Sequence, residues 1–280
     1  MSHETGFFIY ATHMKRRVFK RFVYVLLIVL LGNIVACSKK NDAATPGGNG
    51  TDTIPDPPKE DVFDPQTPGV TVKTMDYKGG NIDDYLLYVP DTYNEKKTYK
   101  WPIVIFLHGI GEIGNDINVI RKVGLPKVVT GKQFVMIAPQ CTASWWNTDV
   151  LQQLYKEVLK KYHVDSSRVY LTGLSMGGYG TWNWAQTSPE KFAAIVPISG
   201  AGTPSQACVL KNMPVWAFHN ANDPTVAVSG SRDMVNALKA CGSNLVKYTE
   251  NPTGGHDAWT KAYADTALYT WLLQQKKVKL

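Results

Sequence analysis

Cysteine is scarce in this chain. There are four among 280 residues, with no Cys-x-x-Cys pair and no Cys/His spacing suited to zinc. A scaffold stapled by several disulfides is therefore excluded. Long apolar runs are missing as well. The most apolar stretch, Phe22 to Leu31, falls short of the ~20 residues a bilayer-spanning helix needs, which argues against an uncleaved anchor. No segment repeats, and no insertion is long enough to build a separate lid domain.

What stands at the N-terminus instead has the pattern of a targeting segment. A basic cluster, Lys15-Arg16-Arg17-Val18-Phe19-Lys20-Arg21, leads into the apolar run, and Ile34-Val35-Ala36-Cys37 resembles the lipobox of bacterial lipoproteins. The resemblance implies cleavage before Cys37 and lipidation of that residue, with Met14 as the expected start. Arg16-Arg17-Val18-Phe19 also resembles a twin-arginine signal, but the very apolar core behind it favours ordinary secretion. The expected location is a bacterial cell envelope, with the lipid in the outer membrane. Residues 1–36 hold five Lys/Arg and one Glu, so the 30 basic and 23 acidic residues fall to 25 and 22, and the formal charge from +7 to +3. No basic patch interleaved with aromatics remains, and nucleic acid is not an expected partner.

Residues 37–69 are rich in Pro, Gly, Asp, Thr and Lys and poor in large apolar side chains. Such a segment cannot bury enough surface to offset chain entropy, so a disordered tether with a reach of roughly 30 Å is expected. With Cys37 lipidated, Cys141, Cys208 and Cys241 remain. One disulfide is then the most that can form; Cys208 with Cys241 is a candidate in an oxidising compartment, and the sequence leaves it open.

Residues 70–280 have the size of one domain. Apolar and β-branched runs at Val70–Tyr77, Tyr85–Val89, Ile103–Leu107, Phe134–Ala138, Val169–Thr172, Ala194–Ile198, Val215–His219 and Leu245–Thr249 are expected strands. Several are continuously apolar, as strands buried on both faces are. Between them, Leu151, Leu154, Tyr155, Val158, Leu159 and Tyr162 fall on one helical face. Further helices are expected at Tyr179–Thr187, Gly230–Ala240 and Ala258–Gln274. This alternation predicts an α/β domain with a mostly parallel central sheet and helices on both faces.

The chemistry is announced by Val169-Tyr170-Leu171-Thr172-Gly173-Leu174-Ser175-Met176-Gly177-Gly178. A strand pattern runs into Gly-x-Ser-x-Gly and then into a helix, the setting in which a serine is exposed on a sharp elbow. A hydroxyl is a weak nucleophile near neutrality and needs a base, itself oriented by an acid. In that setting the chain order is Ser, acid, His. His256, on the glycine-rich stretch Thr253-Gly254-Gly255-His256, is the candidate base. Asp223, just past the Val215–His219 strand, is the candidate acid, with Asp233 second. His163 and His219 are expected to be structural, and Asp257 solvent-facing. The amides of Met176 and Ile110, the latter in His108-Gly109-Ile110-Gly111-Glu112, are the candidate oxyanion donors. Gln140, Trp145 and Trp146, beyond the Phe134–Ala138 strand, are candidates to line the substrate cleft.

These residues resemble the α/β-hydrolases of the secreted esterase type, among them feruloyl and acetyl-xylan esterases, polyhydroxybutyrate-depolymerase-like esterases and predicted peptidases of that lineage. The shared motifs are Phe106-Leu107-His108-Gly109-x-Gly111-Glu112-x-Gly114, Ala138-Pro139-Gln140-Cys141, the elbow with Val164-Asp165-x-x-Arg168 before it, Pro189-Glu190-x-Phe192-Ala193-Ala194, and Gly255-His256-Asp257-Ala258-Trp259. They span residues 70–280 in the family's order. The resemblance implies an α/β-hydrolase fold, Ser175 as nucleophile, His256 as base, Asp223 as acid, an acyl-enzyme, and no metal or organic cofactor. The expected substrate is an acyl ester, acetyl or feruloyl, on polysaccharide. A serine peptidase on the same fold and a non-catalytic surface binder are the alternatives. One departure is visible: relatives read His-Gly-x-x-Asp where this chain has His219-Asn220-Ala221-Asn222-Asp223.

Overall fold

The computed structural model describes residues 63–143 and 145–277. The chain divides into two units, residues 1–56 and 57–280. The leader, Cys37 and most of the expected tether lie outside the described residues. Residues 63–68, expected within the tether, lie against the domain instead. The Phe63 ring stacks on His163 at 4.5 Å, and Gln66 and Asn94 exchange two hydrogen bonds of 2.9 and 2.8 Å.

Among the described residues eight strands form one sheet: β1 (Gly69–Thr74), β2 (Ile82–Val89), β3 (Trp101–Leu107), β4 (Val135–Cys141), β5 (Val164–Leu174), β6 (Ala194–Ile198), β7 (Val215–Asn220) and β8 (Val246–Asn251). Their spatial order is β1-β2-β4-β3-β5-β6-β7-β8. β2 runs antiparallel to β1 and β4, and every other pairing is parallel. Every residue of β3, β4, β6 and β7 is buried, because helices cover both faces. Among the described residues six α-helices do so: α1 (Gly124–Val128), α2 (Thr148–Lys161), α3 (Met176–Thr187), α4 (Ser229–Ala240), α5 (Trp259–Ala264) and α6 (Thr266–Gln274).

Side chains alternate across each strand with period two, and this splits the core in two. Ile103, Ile105 and Leu107 of β3 join Leu151 and Leu154 of α2, Trp182 and Trp184 of α3, and Met234 and Leu238 of α4. Val104 and Phe106 face the other way, against Leu125 of α1, Tyr263 of α5 and Leu268 and Leu272 of α6.

The expected strands and helices are present, with two instructive differences. The helix expected over Ala258–Gln274 is broken at Asp265, whose extended backbone ends α5 and whose carboxylate caps the Ala267 amide to start α6. β5 begins at Val164 rather than Val169, since Val164 pairs with Trp101 across a register shift. The open question about cysteine is answered: Cys208 and Cys241 form a disulfide, Cα–Cα 5.3 Å, tying a 3₁₀ turn (Pro204–Leu210) to the end of α4. Cys141 is a buried free thiol, and burial pushes its pKa up.

Candidate active site

β5 ends at Leu174 and α3 starts at Met176, so Ser175 alone makes the turn, at φ 53° and ψ −118°. A non-glycine residue there is strained by about 1–3 kcal/mol. The turn closes only because its neighbours lack side chains. A Cβ on Gly177 would overlap the Leu107 carbonyl oxygen, and one on Gly173 would overlap that of Gly177. The Ser175 amide donates to the Ile198 carbonyl (2.9 Å), and the hydroxyl is left half-exposed at the carboxyl ends of β5 and β6.

Two further segments reach this point. His256 follows β8, on a loop where Gly254 and Gly255 both take positive φ. Its Nε2 lies 2.8 Å from Ser175 Oγ, and its Nδ1 lies 2.7 Å from Asp223 Oδ2. Asp223 Oδ1 accepts the Thr225 and Val226 amides at 2.8 and 2.9 Å. Burial works against the Asp223 charge, but the hydrogen bonds from His256, Val226 and Thr225 outweigh it and hold the carboxyl below the usual range. With Nδ1–H donating to this carboxylate, Nε2 presents its lone pair to the Ser175 hydroxyl. Asp233, exposed on α4, and Asp257, capping Thr260, stand outside this constellation.

Both expected oxyanion donors are first residues of helices: Met176 opens α3, and Ile110 opens a 3₁₀ turn (Ile110–Glu112). First-turn amides have no intrahelical acceptor. The Ile110 turn lies close to the serine, since a Cβ on Gly109 would come within 3.6 Å of Ser175 Cβ. His108, fully buried, sets the loop. Its Nδ1 lies 2.6 Å from the Gly109 carbonyl, and its Nε2 accepts the Cys141 amide at 2.9 Å. Nδ1 must therefore carry the hydrogen. In a trans peptide the next N–H points opposite to that carbonyl, so the Ile110 amide is turned away from the His108 ring. Burial pulls the His108 pKa down to about 4.

Two of the three expected cleft residues turn inward. Gln140 is buried and donates to the Glu112 and Asp116 carbonyls at 2.9 and 3.1 Å, bracing the Ile110 loop from beneath. Trp146 is buried with its Nε1 donating to the His108 carbonyl, over the space left by Gly180. These are scaffold contacts, a correction to the expected cleft role. Trp145 alone stays outside, 58% exposed and edge-on to Tyr179 at 5.9 Å, one helical turn beyond Ser175. Trp259 stands edge-on to His256 at 5.1 Å.

Several contacts around the triad were not expected from the sequence. Ser199, at φ 48°, donates from its hydroxyl to the His256 carbonyl at 3.1 Å. Asn220, fully buried at the position of the family glycine, donates to the Gly255 carbonyl (3.0 Å) and accepts from Asn251 (2.9 Å). Asn222 accepts the Gly255 amide. The motif departure at Asn220 was the available signal. His219, expected to be structural, is buried with Nε2 at 3.2 Å from Asp223 Oδ2. A separate cavity of about 450 Å³, lined by Phe63, Lys73, Tyr85, Lys160, Lys161 and Tyr162 among others, includes none of these residues.

Comparison with known proteins gives the following. A family model described as "Putative esterase" matches residues 84–244. The "Probable feruloyl esterase C" of Aspergillus terreus is 29% identical over 167 residues, 56% of this chain and 60% of that protein. A bifunctional acetylxylan esterase/xylanase of Neocallimastix patriciarum is 27% identical over 130 residues, 44% of this chain and 19% of that protein. The chain thus spans less than two thirds of the length of these curated relatives. The crystal structure of a thermostable esterase superposes with a TM-score of 0.64 at 33% identity, covering 74% of this chain and 63% of that one. The fold is the α/β-hydrolase fold.

Proposed function

The chain belongs to this esterase family, and we propose that it is a serine carboxylesterase working through Ser175, His256 and Asp223. The observation that carries the reading is one imidazole bridging hydroxyl and carboxylate at 2.8 and 2.7 Å. His256 Nε2 takes the Ser175 proton as Oγ attacks the ester carbonyl carbon. The oxyanion is met by the Met176 and Ile110 amides. His256 returns the proton to the departing alcohol, leaving an acyl-serine. Water then attacks the acyl carbon with His256 again as base, releasing the acid and restoring Ser175. Asp223 holds the imidazole in the required tautomer and balances the imidazolium formed on the way.

The substrate we propose is an acetyl or feruloyl ester carried on polysaccharide. Support comes from the names of the relatives and from exposed Trp145 beside Tyr179, a surface on which a sugar or aryl ring can stack. We further propose anchoring in the cell envelope through lipid on Cys37, on the strength of the lipobox-like Ile34-Val35-Ala36-Cys37. The test is labelling with a fluorophosphonate probe, wild type beside Ser175→Ala, then turnover of acetyl, feruloyl and peptide substrates. Labelling confined to the wild type, with ester turnover, is expected. Equal labelling of both proteins removes Ser175 from the mechanism, and rapid peptide cleavage with inert esters replaces the substrate class.

A further inference from the structure

The tip of β6 touches the main chain of both Ser175 and His256. Ile198, its last residue, accepts the Ser175 amide at 2.9 Å. α3 is held hard against the same atom, since a Cβ on Gly178 would overlap the Ile198 carbonyl oxygen. Ser199, the next residue, is fully buried, and its hydroxyl donates to the His256 carbonyl at 3.1 Å. Its amide donates to the Phe218 carbonyl of β7 at 2.9 Å, so it is tied to the sheet on the side away from the elbow. Among the described residues, two non-glycine residues have positive φ: Ser175 at 53° and Ser199 at 48°. Glycine takes that conformation without a Cβ penalty, so backbone shape alone favours glycine at position 199. What the serine adds is the hydroxyl on the His256 carbonyl. The His256 loop needs such a hold. Gly254 and Gly255 precede the imidazole, both at positive φ, and glycine has the most chain freedom to lose. Asn220 and Asn222 bond the main chain of Gly255; Ser199 bonds that of His256 itself.

We propose that Ser199 is a positioning residue of the reaction: its hydroxyl fixes the His256 main chain at a set distance from the Ser175 elbow, through the adjoining Ile198. This rests on reading His256 as the base. His256 Nε2 must serve the Ser175 hydroxyl and then the departing alcohol, so the ring turns about a backbone that has to stay still. Two consecutive residues, each hydrogen-bonded to the main chain of one catalytic residue, supply that fixed point.

The test compares two substitutions in the full-length protein, with p-nitrophenyl acetate as substrate and thermal melts beside the kinetics. Ser199→Ala removes the hydroxyl and keeps the strained Cβ. Ser199→Gly removes the hydroxyl and relieves the backbone. Both should lower kcat by on the order of 10-fold, the effect of a slightly misplaced base, with KM changed by less than about 2-fold. The melting temperature should fall for alanine and stay close to wild type for glycine, because the lost hydrogen bond is offset there by the released strain. Activity then follows the hydroxyl while stability follows the backbone, a split that a merely structural serine does not give. The glycine variant also keeps the test open should the alanine variant not fold. In a His256→Ala background Ser199→Gly should cost less than about 2-fold, because the residue it acts through is gone. The proposal is overturned if either variant keeps the wild-type kcat, if the kcat losses follow the melting temperatures instead of the hydroxyl, or if Ser199→Gly costs the same in both backgrounds. His256→Ala turning over at the wild-type rate is a different failure, that of the triad itself.

Discussion

Acid sensitivity should be concentrated at His108. The ring is fully buried, donates from Nδ1 to the Gly109 carbonyl and accepts the Cys141 amide at Nε2. A second proton would set an N–H against an N–H. Burial holds the folded pKa near 4 against 6.5 for the free side chain, with the Gly109 hydrogen bond opposing in part. As pH falls from 6.5 the unfolded chain takes up a proton that the folded chain refuses, so stability is lost across the window from 6.5 to about 4 and no further below it. A separation of about 2.5 units corresponds to roughly 3 kcal/mol, a large share of the net stability of a domain. Other groups titrate nearby. Half-buried Glu112 has its pKa raised by desolvation and works in the opposite sense, so the comparison that isolates His108 is with His108→Asn. That variant keeps a donor for the Gly109 carbonyl and has nothing to titrate. Urea unfolding of both proteins at pH 7 and at pH 4 gives the numbers. The wild type should lose roughly 3 kcal/mol more than the variant between the two. Equal losses would mean that His108 is protonated in the folded state and that the argument from its two hydrogen bonds is wrong.

Replacing Cys208 and Cys241 together by Ser opens a 33-residue separation, and chain entropy predicts a loss of about 3 to 4 kcal/mol, read as a lower urea midpoint that matches wild type under reductant. Asn220→Gly strips the Gly255 carbonyl and Asn251 of their partner. It should cost about 1–3 kcal/mol of stability and lower kcat more than it raises KM, because the His256 loop loosens; steady-state kinetics beside thermal melts would reveal an unchanged kcat. Trp145→Ala removes an exposed ring. KM for an aryl ester should rise about 2- to 10-fold with the melting temperature unmoved, and an unchanged KM would take Trp145 out of the cleft.

Positions along the chain where the backbone alone decides were well marked. Gly173 and Gly177 flank Ser175 because no side chain fits between β5, α3 and the end of β3, and that constraint is local enough to appear as a motif. The period-two and 3.6-residue patterns likewise carried the strands and helices, since burial on one face is written into residue order. The break at Asp265 was hidden because the apolar pattern runs through it; the cap is formed by a single short side chain.

The sequence by itself determined which hydroxyl, imidazole and carboxylate could converge, their order, and the sheet that carries them. Only the tertiary structure decided which way the neighbours face. Gln140 and Trp146 lie where a cleft wall was expected, yet both are buried: Gln140 belongs to the end of β4, a strand buried on both faces, and Trp146 to an irregular stretch with no periodicity from which inward and outward can be told. The contacts of His219 with Asp223, of Asn220 with Gly255 and of Cys208 with Cys241 were equally unreadable. Two of these pairs join residues more than thirty positions apart, and all three are set by how β7, α4 and the His256 loop come to rest together. A polar side chain carries its hydrogen-bonding capacity in its formula; its partner is chosen by the packing.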